Sequence, residues 1–263
     1  MVRVRFHRLA PGRREHVHVR DPFGDRLPLL RSARDRRAGR RKSSRVQIIV
    51  TLVGPGELVT AKLDFKRELE CYTAKRNSPQ VTDVPDLQYL MIDGHGDPNT
   101  PVYVDAVSAL YPVAYKLKFA SKKNLGRDYV VMPLEGLWWA DDMDTFTTAR
   151  DKTQWDWTLM IMVPDWITAE MFNDAVEQVG VKDRPTRLGD LRLEALSEGR
   201  CVQALHVGAY DDEAELLRHM HEEFIPDQGL KMVGKHHEIY LSDPRRAEPA
   251  KLRTILRQPV ADA

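Results

Sequence analysis

Leu87-Gln-Tyr-Leu-Met-Ile-Asp93 runs directly into Gly94-His-Gly-Asp-Pro98 and then Asn99-Thr-Pro101. The first stretch reads as a mostly buried strand. Its glycines and proline mark the second as a loop. Asn99 or Thr100 suits a helix N-cap, with Pro101 in the first turn. Tyr103, Val107, Leu110, Ala114 and Leu117 recur at three- and four-residue steps, which gives the helix one apolar face. Beyond it, Tyr129–Leu134 and Trp155–Val163 read as two further strands on either side of an acidic connection around Asp141–Lys152.

The same order returns later. Arg200–His206 reads as a strand closed by Val207-Gly-Ala-Tyr210. Asp212 and Glu215 have capping-box spacing and open a helix through Leu217, Met220, Phe224 and Ile225 to Pro226. Short strands are expected at Leu230–Val233, His237–Leu241 and Leu252–Leu256. Between the halves, Thr168 caps a helix through Met171, Ala175 and Val179 that Gly180 ends, and a charged stretch runs from Lys182 to Glu198. The fold class is therefore α+β. Two strand–helix–strand–strand modules, roughly 83–163 and 198–260, are expected side by side, with helices on their outer faces and a ligand groove between them.

The net charge of +1 conceals a division. Residues 1–45 carry +11 and the remainder −10. This arginine-rich extension, taken as 1–61, has little to bury and is read as a disordered basic arm. Clustered arginines attract phosphates, but no aromatic interleaving or binding motif supports a nucleic-acid partner. Lys62-Leu-Asp-Phe-Lys66 reads as the beginning of the ordered domain, 62–263. A natural start near Val59 is expected, which N-terminal mass spectrometry of the native protein tests. The two cysteines, Cys71 and Cys201, are far apart and suit a reducing, cytoplasmic compartment. No apolar run reaches the ~20 residues of a membrane span.

All five tryptophans fall between Trp138 and Trp166. Any single one would be core, but a cluster of five suits an aromatic wall for flat, apolar or cationic ligands. Trp155 and Trp157 share a face if both lie on a strand, as do Glu135, Leu137 and Trp139 if the chain stays extended through Gly136. In His236-His-Glu-Ile-Tyr-Leu241, alternation separates Ile239 and Leu241 from Glu238 and Tyr240. The apolar pair is expected under the helices, which turns Glu238 and Tyr240 to the open face. A carboxylate enclosed by aromatic rings is short of water and gains basicity, which suits a general base. Metal binding is not expected: His219 and His221 do not share a helix face, and no metal-ligand spacing is present. No nucleophile elbow, phosphate loop or cofactor motif appears.

Together these segments resemble the GyrI-like small-molecule-binding family. The matching stretches are Lys62-Leu-Asp-Phe-Lys66, Leu90-Met-Ile-Asp-Gly94, Gly96-Asp-Pro-Asn99, Pro133-Leu-Glu-Gly-Leu-Trp-Trp139, Trp155-Asp-Trp157, Glu198-Gly-Arg-Cys-Val-Gln203, His206-Val-Gly208, His236-His-Glu-Ile-Tyr-Leu-Ser-Asp-Pro-Arg-Arg246 and Thr254-Ile-Leu-Arg-Gln-Pro259. The resemblance implies a groove between two modules that holds a small organic molecule. It also implies a stand-alone protein like the hydrolases that open the cyclopropane ring of cyclopropanoid toxins. On that resemblance Glu238 and Glu135 are the candidate catalytic residues, and Trp138, Trp139, Trp155, Trp157, Tyr210 and Tyr240 the candidate lining. Which glutamate is the base stays open, as does the choice between detoxifying hydrolysis and binding without turnover.

Overall fold

The computed structural model describes residues 50–52, 58–60, 62–141 and 151–263. The expectations for the arginine-rich arm, and for most of the acidic connection, lie outside the described residues. Strands β1 (Val50–Leu52) and β2 (Leu58–Thr60) pair with each other as a separate ribbon. The short helix α1 (Phe65–Glu68) follows, capped by the Asp64 carboxylate.

The main body is one antiparallel sheet of nine strands. After β3 (Gln80–Val84) come β4 (Leu87–His95), α2 (Pro101–Leu125), β5 (Glu135–Trp139) and β6 (Asp156–Val163). The connecting helix α3 (Ala169–Lys182) is capped by Thr168, whose hydroxyl accepts from the Met171 N–H. Then come β7 (Arg192–Leu196), β8 (Gly199–Val207), α4 (Ala214–Arg218), a π-helical turn (His219–Phe224) and α5 (Ile225–Asp227). Strands β9 (Leu230–Met232), β10 (His236–Tyr240) and β11 (Arg253–Asp262) complete the chain. Across the sheet the order is β3-β8-β11-β10-β5-β6-β4-β7, with β9 on β11. Strands β5-β6-β4 with α2 form one module, and β10-β11-β8 with α4 form the other. They join edge to edge where β10 pairs antiparallel with β5, so the two halves share a single sheet.

Each module also carries an edge strand from the other's side of the sequence. β3, which precedes the first module, pairs with β8, and β7, which precedes the second, pairs with β4. The stretch containing β7 reads as a charged linker because Arg192 and Glu194 dominate it. Charged side chains belong on an edge that must not recruit another strand.

Two elements depart from the sequence reading. Over Tyr129–Leu134 the chain makes an isolated parallel bridge, Tyr129 to Leu63, and at its end the Leu134 carbonyl accepts from the Tyr240 N–H. Pro133 has no N–H to donate, and the strand begins two residues later at Glu135. At the second helix the N-cap is Glu213 rather than Asp212, because Tyr210–Asp212 is taken up by a tight 3₁₀ turn. Pro226 lies inside the final turn, and the chain leaves the helix at Gln228 and Gly229.

Both helical layers cover the same face of the sheet. Leu216, Met220 and Ile225 pack on Val202, Ala204 and Leu256 in one half. In the other, Tyr103 of α2 packs on Trp138 and Trp157. In register, Leu256 lies opposite Glu238 and Glu238 opposite Gly136, so Glu238 and Tyr240 point to the helix side. The expected assignment of Ile239 to that side is reversed. Ile239 faces the other surface, where the 62–76 segment with Phe65, Cys71 and Tyr72 supplies an apolar cover.

Candidate functional site

Where β10 meets β5, the helix-bearing face carries an aromatic cluster with a carboxylate. Trp138 and Tyr103 stack with centroids 6.4 Å apart, and Trp155 meets Trp138 edge-on at 5.8 Å. Tyr210 meets Tyr240 edge-on at 5.7 Å and is 39% exposed, at the mouth of the cluster. The Trp138 indole N–H donates to the Tyr240 hydroxyl (3.1 Å), which in turn donates to Glu238 Oε2 (2.7 Å). A relay spanning both modules thus aims one carboxylate. His236 lies next to Trp138 in register, with Nε2 3.7 Å from Glu238 Oε1.

Two glycines make this packing possible. The Trp138 N–H reaches Tyr240 across Gly136, where a Cβ would stand 2.8 Å from Nε1. The Trp157 ring lies on Gly94, where a Cβ would come within 1.9 Å of it, and its N–H donates to the Gly96 carbonyl. Trp157 is fully buried beneath Tyr103, so it supports the wall and offers no surface to a ligand.

Two of the expected site residues are not brought here. Trp139 points to the opposite face, with Lys235 Nζ 3.1 Å from its ring centroid. Glu135 also points there, fully buried, which corrects the expectation that it shares a pocket with Glu238. Glu135 accepts from the Tyr72 hydroxyl (2.6 Å) and pairs with His237 Nε2 (3.0 Å). His237 Nδ1 meets Glu198 (2.9 Å), and Glu198 accepts from Arg257 (2.8 Å). Arg257 also donates to the Cys71 carbonyl and to Gln203. Burial works against charge throughout this network. Even so, His237 and Arg257 hold Glu198 down to about 2, and Glu198 and Glu135 push His237 above its ordinary value. The network ties the first module, the second module and the 62–76 segment together. With both oxygens engaged, Glu135 is a structural anchor.

Four residues of the helix-bearing face escape the sequence reading. Tyr103 is taken as helix core, though its ring forms a wall. His236 is half-buried, and neither ring nitrogen has a hydrogen-bond partner among the described residues. His221 Nε2 is in the same condition, and its ring meets His236 at 5.8 Å. Burial, with His236 adding to it, pushes His221 down to about 3, so it is neutral. Glu213 is 4% exposed and its Oε1 has no partner. Burial and the charge of Glu238 push Glu213 up to about 9. Its place in the acidic run Asp211-Asp-Glu213 hides it, because such runs normally cap helices in solvent. Among the described residues no group of three or more His, Cys, Asp or Glu could hold a metal ion. No described helix is long and apolar enough to cross a membrane.

A profile for the GyrI-like small molecule binding domain matches residues 77–261. No match was found among curated proteins. A hydrolase from Listeria innocua is 37% identical, with a TM-score of 0.69; the alignment covers 76% of this chain and 100% of that one. An uncharacterized conserved protein from Listeria innocua is 38% identical over the same shares, with a TM-score of 0.70. A further Listeria innocua hydrolase structure matches at 37% identity and a TM-score of 0.66, again with 76% and 100% coverage.

Proposed function

The chain belongs to the GyrI-like small-molecule-binding domain family, and we propose that it hydrolyses a flat organic electrophile held between α2 and α4. The observation that carries this reading is the Trp138–Tyr240–Glu238 relay. It leaves Glu238 Oε1 for a water molecule while Oε2 is fixed by the tyrosine. A carboxylate oriented this way beside stacked rings acts as a general base on water poised over a bound electrophile. Trp138, Tyr103, Trp155 and Tyr210 hold the flat body by stacking, or a cationic one by cation–π attraction. Tyr240 acts as the residue that orients Glu238. The likeness to hydrolases at 37% identity supports a reaction with water.

The substrate class that fits is a strained-ring electrophile of the cyclopropanoid type. Water attacks a ring carbon, the ring opens, and an alcohol is released. With a spirocyclopropyl cyclohexadienone as probe, the wild-type protein gives the ring-opened alcohol. Glu238→Gln lowers kcat by about 10²–10⁴-fold and retains quenching of tryptophan fluorescence by the probe. A Glu238→Gln protein that turns over at the wild-type rate removes Glu238 from the base role. Binding without turnover is the second reading, supported by the same aromatic lining. It predicts stoichiometric protection of the probe from a thiol competitor, with no alcohol formed.

A further inference from the structure

The helix-bearing face holds a second carboxyl group that this reading does not use. Glu213 sits at the entry to α4, almost wholly buried, with Oε1 lacking any partner among the described residues. A buried carboxyl oxygen without a donor is costly as a carboxylate, because its charge has lost water and gained no hydrogen bond. The same group carrying a proton is neutral and can donate. Around it stand Glu238 and Tyr240 of β10, Thr254 of β11 and His206 beside Thr254 in register on β8. Tyr210 and Asp211 face it from the turn before α4. His206 is already engaged with the Ala209 carbonyl, and among the described residues no lysine or arginine is one of the groups that act on Glu213. His236 stands beside Glu238, with Nε2 3.7 Å from Oε1, and the charge of Glu238 disfavours a second negative charge on Glu213.

We infer that Glu213 is the proton donor of the cleft, protonated while Glu238 is ionised, and that it protonates the oxygen on which charge develops as the substrate ring opens. The inference rests on the hydrolytic reading above, and every atom in it balances. The oxygen of water bonds to a ring carbon as that carbon's bond to the spiro centre breaks. The released electron pair moves through the dienone to its oxygen, which takes the proton of Glu213 and becomes a phenol. Glu238 takes the proton lost by water. Transfer of that proton from Glu238 to Glu213 restores the starting state, and the net change is addition of one water.

Such a pair separates acid and base by environment: one carboxyl is starved of compensation and the other is oriented by a tyrosine. The burial and charge that push Glu213 to about 9 agree with this division. The class of substrate is narrowed as well. It must place an oxygen that gains charge, such as a dienone or ester carbonyl, toward α4, with its aromatic body toward Trp138.

Two measurements test the inference. Infrared difference spectra across a pH titration are expected to show a protonated-carboxyl band through neutral pH. The band is absent in Glu213→Gln and titrates at lower pH in Glu238→Gln. A wild-type protein without that band, or a Glu213→Gln protein that keeps it, overturns the inference whether or not the probe is hydrolysed. The second measurement is the pH profile of kcat/KM for the spirocyclopropyl cyclohexadienone. The wild-type rate falls above about pH 9, the value to which Glu213 is pushed. Glu213→Gln, which keeps the shape of the protonated acid, is expected to lower kcat about 100-fold with little change in KM and to abolish that alkaline limb. A folded Glu213→Gln protein with the wild-type rate and profile rejects the donor role and leaves Glu238 as base untouched. Failure of the wild-type protein to hydrolyse the probe counts against the hydrolytic reading, and the infrared titration then decides the protonation alone.

Discussion

A methyl group added at Gly136 would stand 2.8 Å from Trp138 Nε1 and 3.3 Å from the Tyr240 hydroxyl, between the two partners of the relay. Gly136→Ala should therefore cost about 1–3 kcal/mol through overpacking. It should also weaken probe binding, read as a lower Tm and reduced fluorescence quenching. At Gly94 the added carbon meets a fully buried indole at 1.9 Å, so Gly94→Ala should destabilise more than Gly136→Ala in the same melt. Glu213 gives a pH-dependent case. Its folded value is raised from 4.5 to about 9, so the native state holds a proton that the unfolded chain releases. Stability should fall as pH rises across that interval. Glu213→Gln removes the cost and should raise the urea midpoint at pH 8, with no gain at pH 4. Alternation along His236–Tyr240 is legible in the sequence, so Glu238 and Tyr240 pair correctly. Which surface they face is not legible, since Ile239 and Glu238 are each covered, one by the 62–76 segment and the other between two helices. Glu135 shows the same limit: a glutamate beside tryptophans reads as a pocket acid until His237 and Tyr72 are seen to occupy it.

At the scale of elements, the reverse face is held by one buried chain of charges from Tyr72 through Glu135, His237 and Glu198 to Arg257. Removing one partner leaves an uncompensated charge, so Glu198→Gln or Arg257→Met should cost about 3–5 kcal/mol in urea unfolding. The pH dependence has two limbs. Glu198 is held down to about 2 against an ordinary 4.5, so its contribution is full above 4.5 and is lost as pH falls toward 2. His237 is raised above 6.5, so its contribution is full below 6.5 and is lost as pH rises through its folded value. The stability maximum of the wild-type protein should therefore lie on the acidic side of neutrality, and Glu198→Gln should flatten the acid limb. Strand–turn–helix order was readable because glycine turns and helical spacing are local signals. The shift of a strand from Tyr129–Leu134 to β5, and the strand character of β7, were not. Both depend on which neighbour offers a free backbone edge.

For the whole molecule, among the described residues the β1–β2 ribbon pairs with itself, whereas the 62–76 segment is tied into the sheet. Removing residues 1–61 should leave the melting temperature and probe binding unchanged. Extending the deletion through Ala74 removes the Tyr72–Glu135 and Cys71–Arg257 contacts and should lower Tm by about 6–12 °C, corresponding to about 3 kcal/mol for a domain of this size. Dependence on the longer arm for either property would reverse the domain boundary at Lys62.

The exchange of edge strands has a consequence for synthesis. On the ribosome, the first module gains β7 soon after α3 emerges and can close its own edge. β3 is made early, but its partner β8 follows more than a hundred residues later. At ~5–20 residues per second it waits roughly 6–24 seconds with its hydrogen bonds unmade. During that interval Val81 and Val84 belong to an open edge that any neighbouring nascent chain could pair with. Crowded polysomes, and slow codons between β3 and β8, are where this protein should be most prone to aggregate.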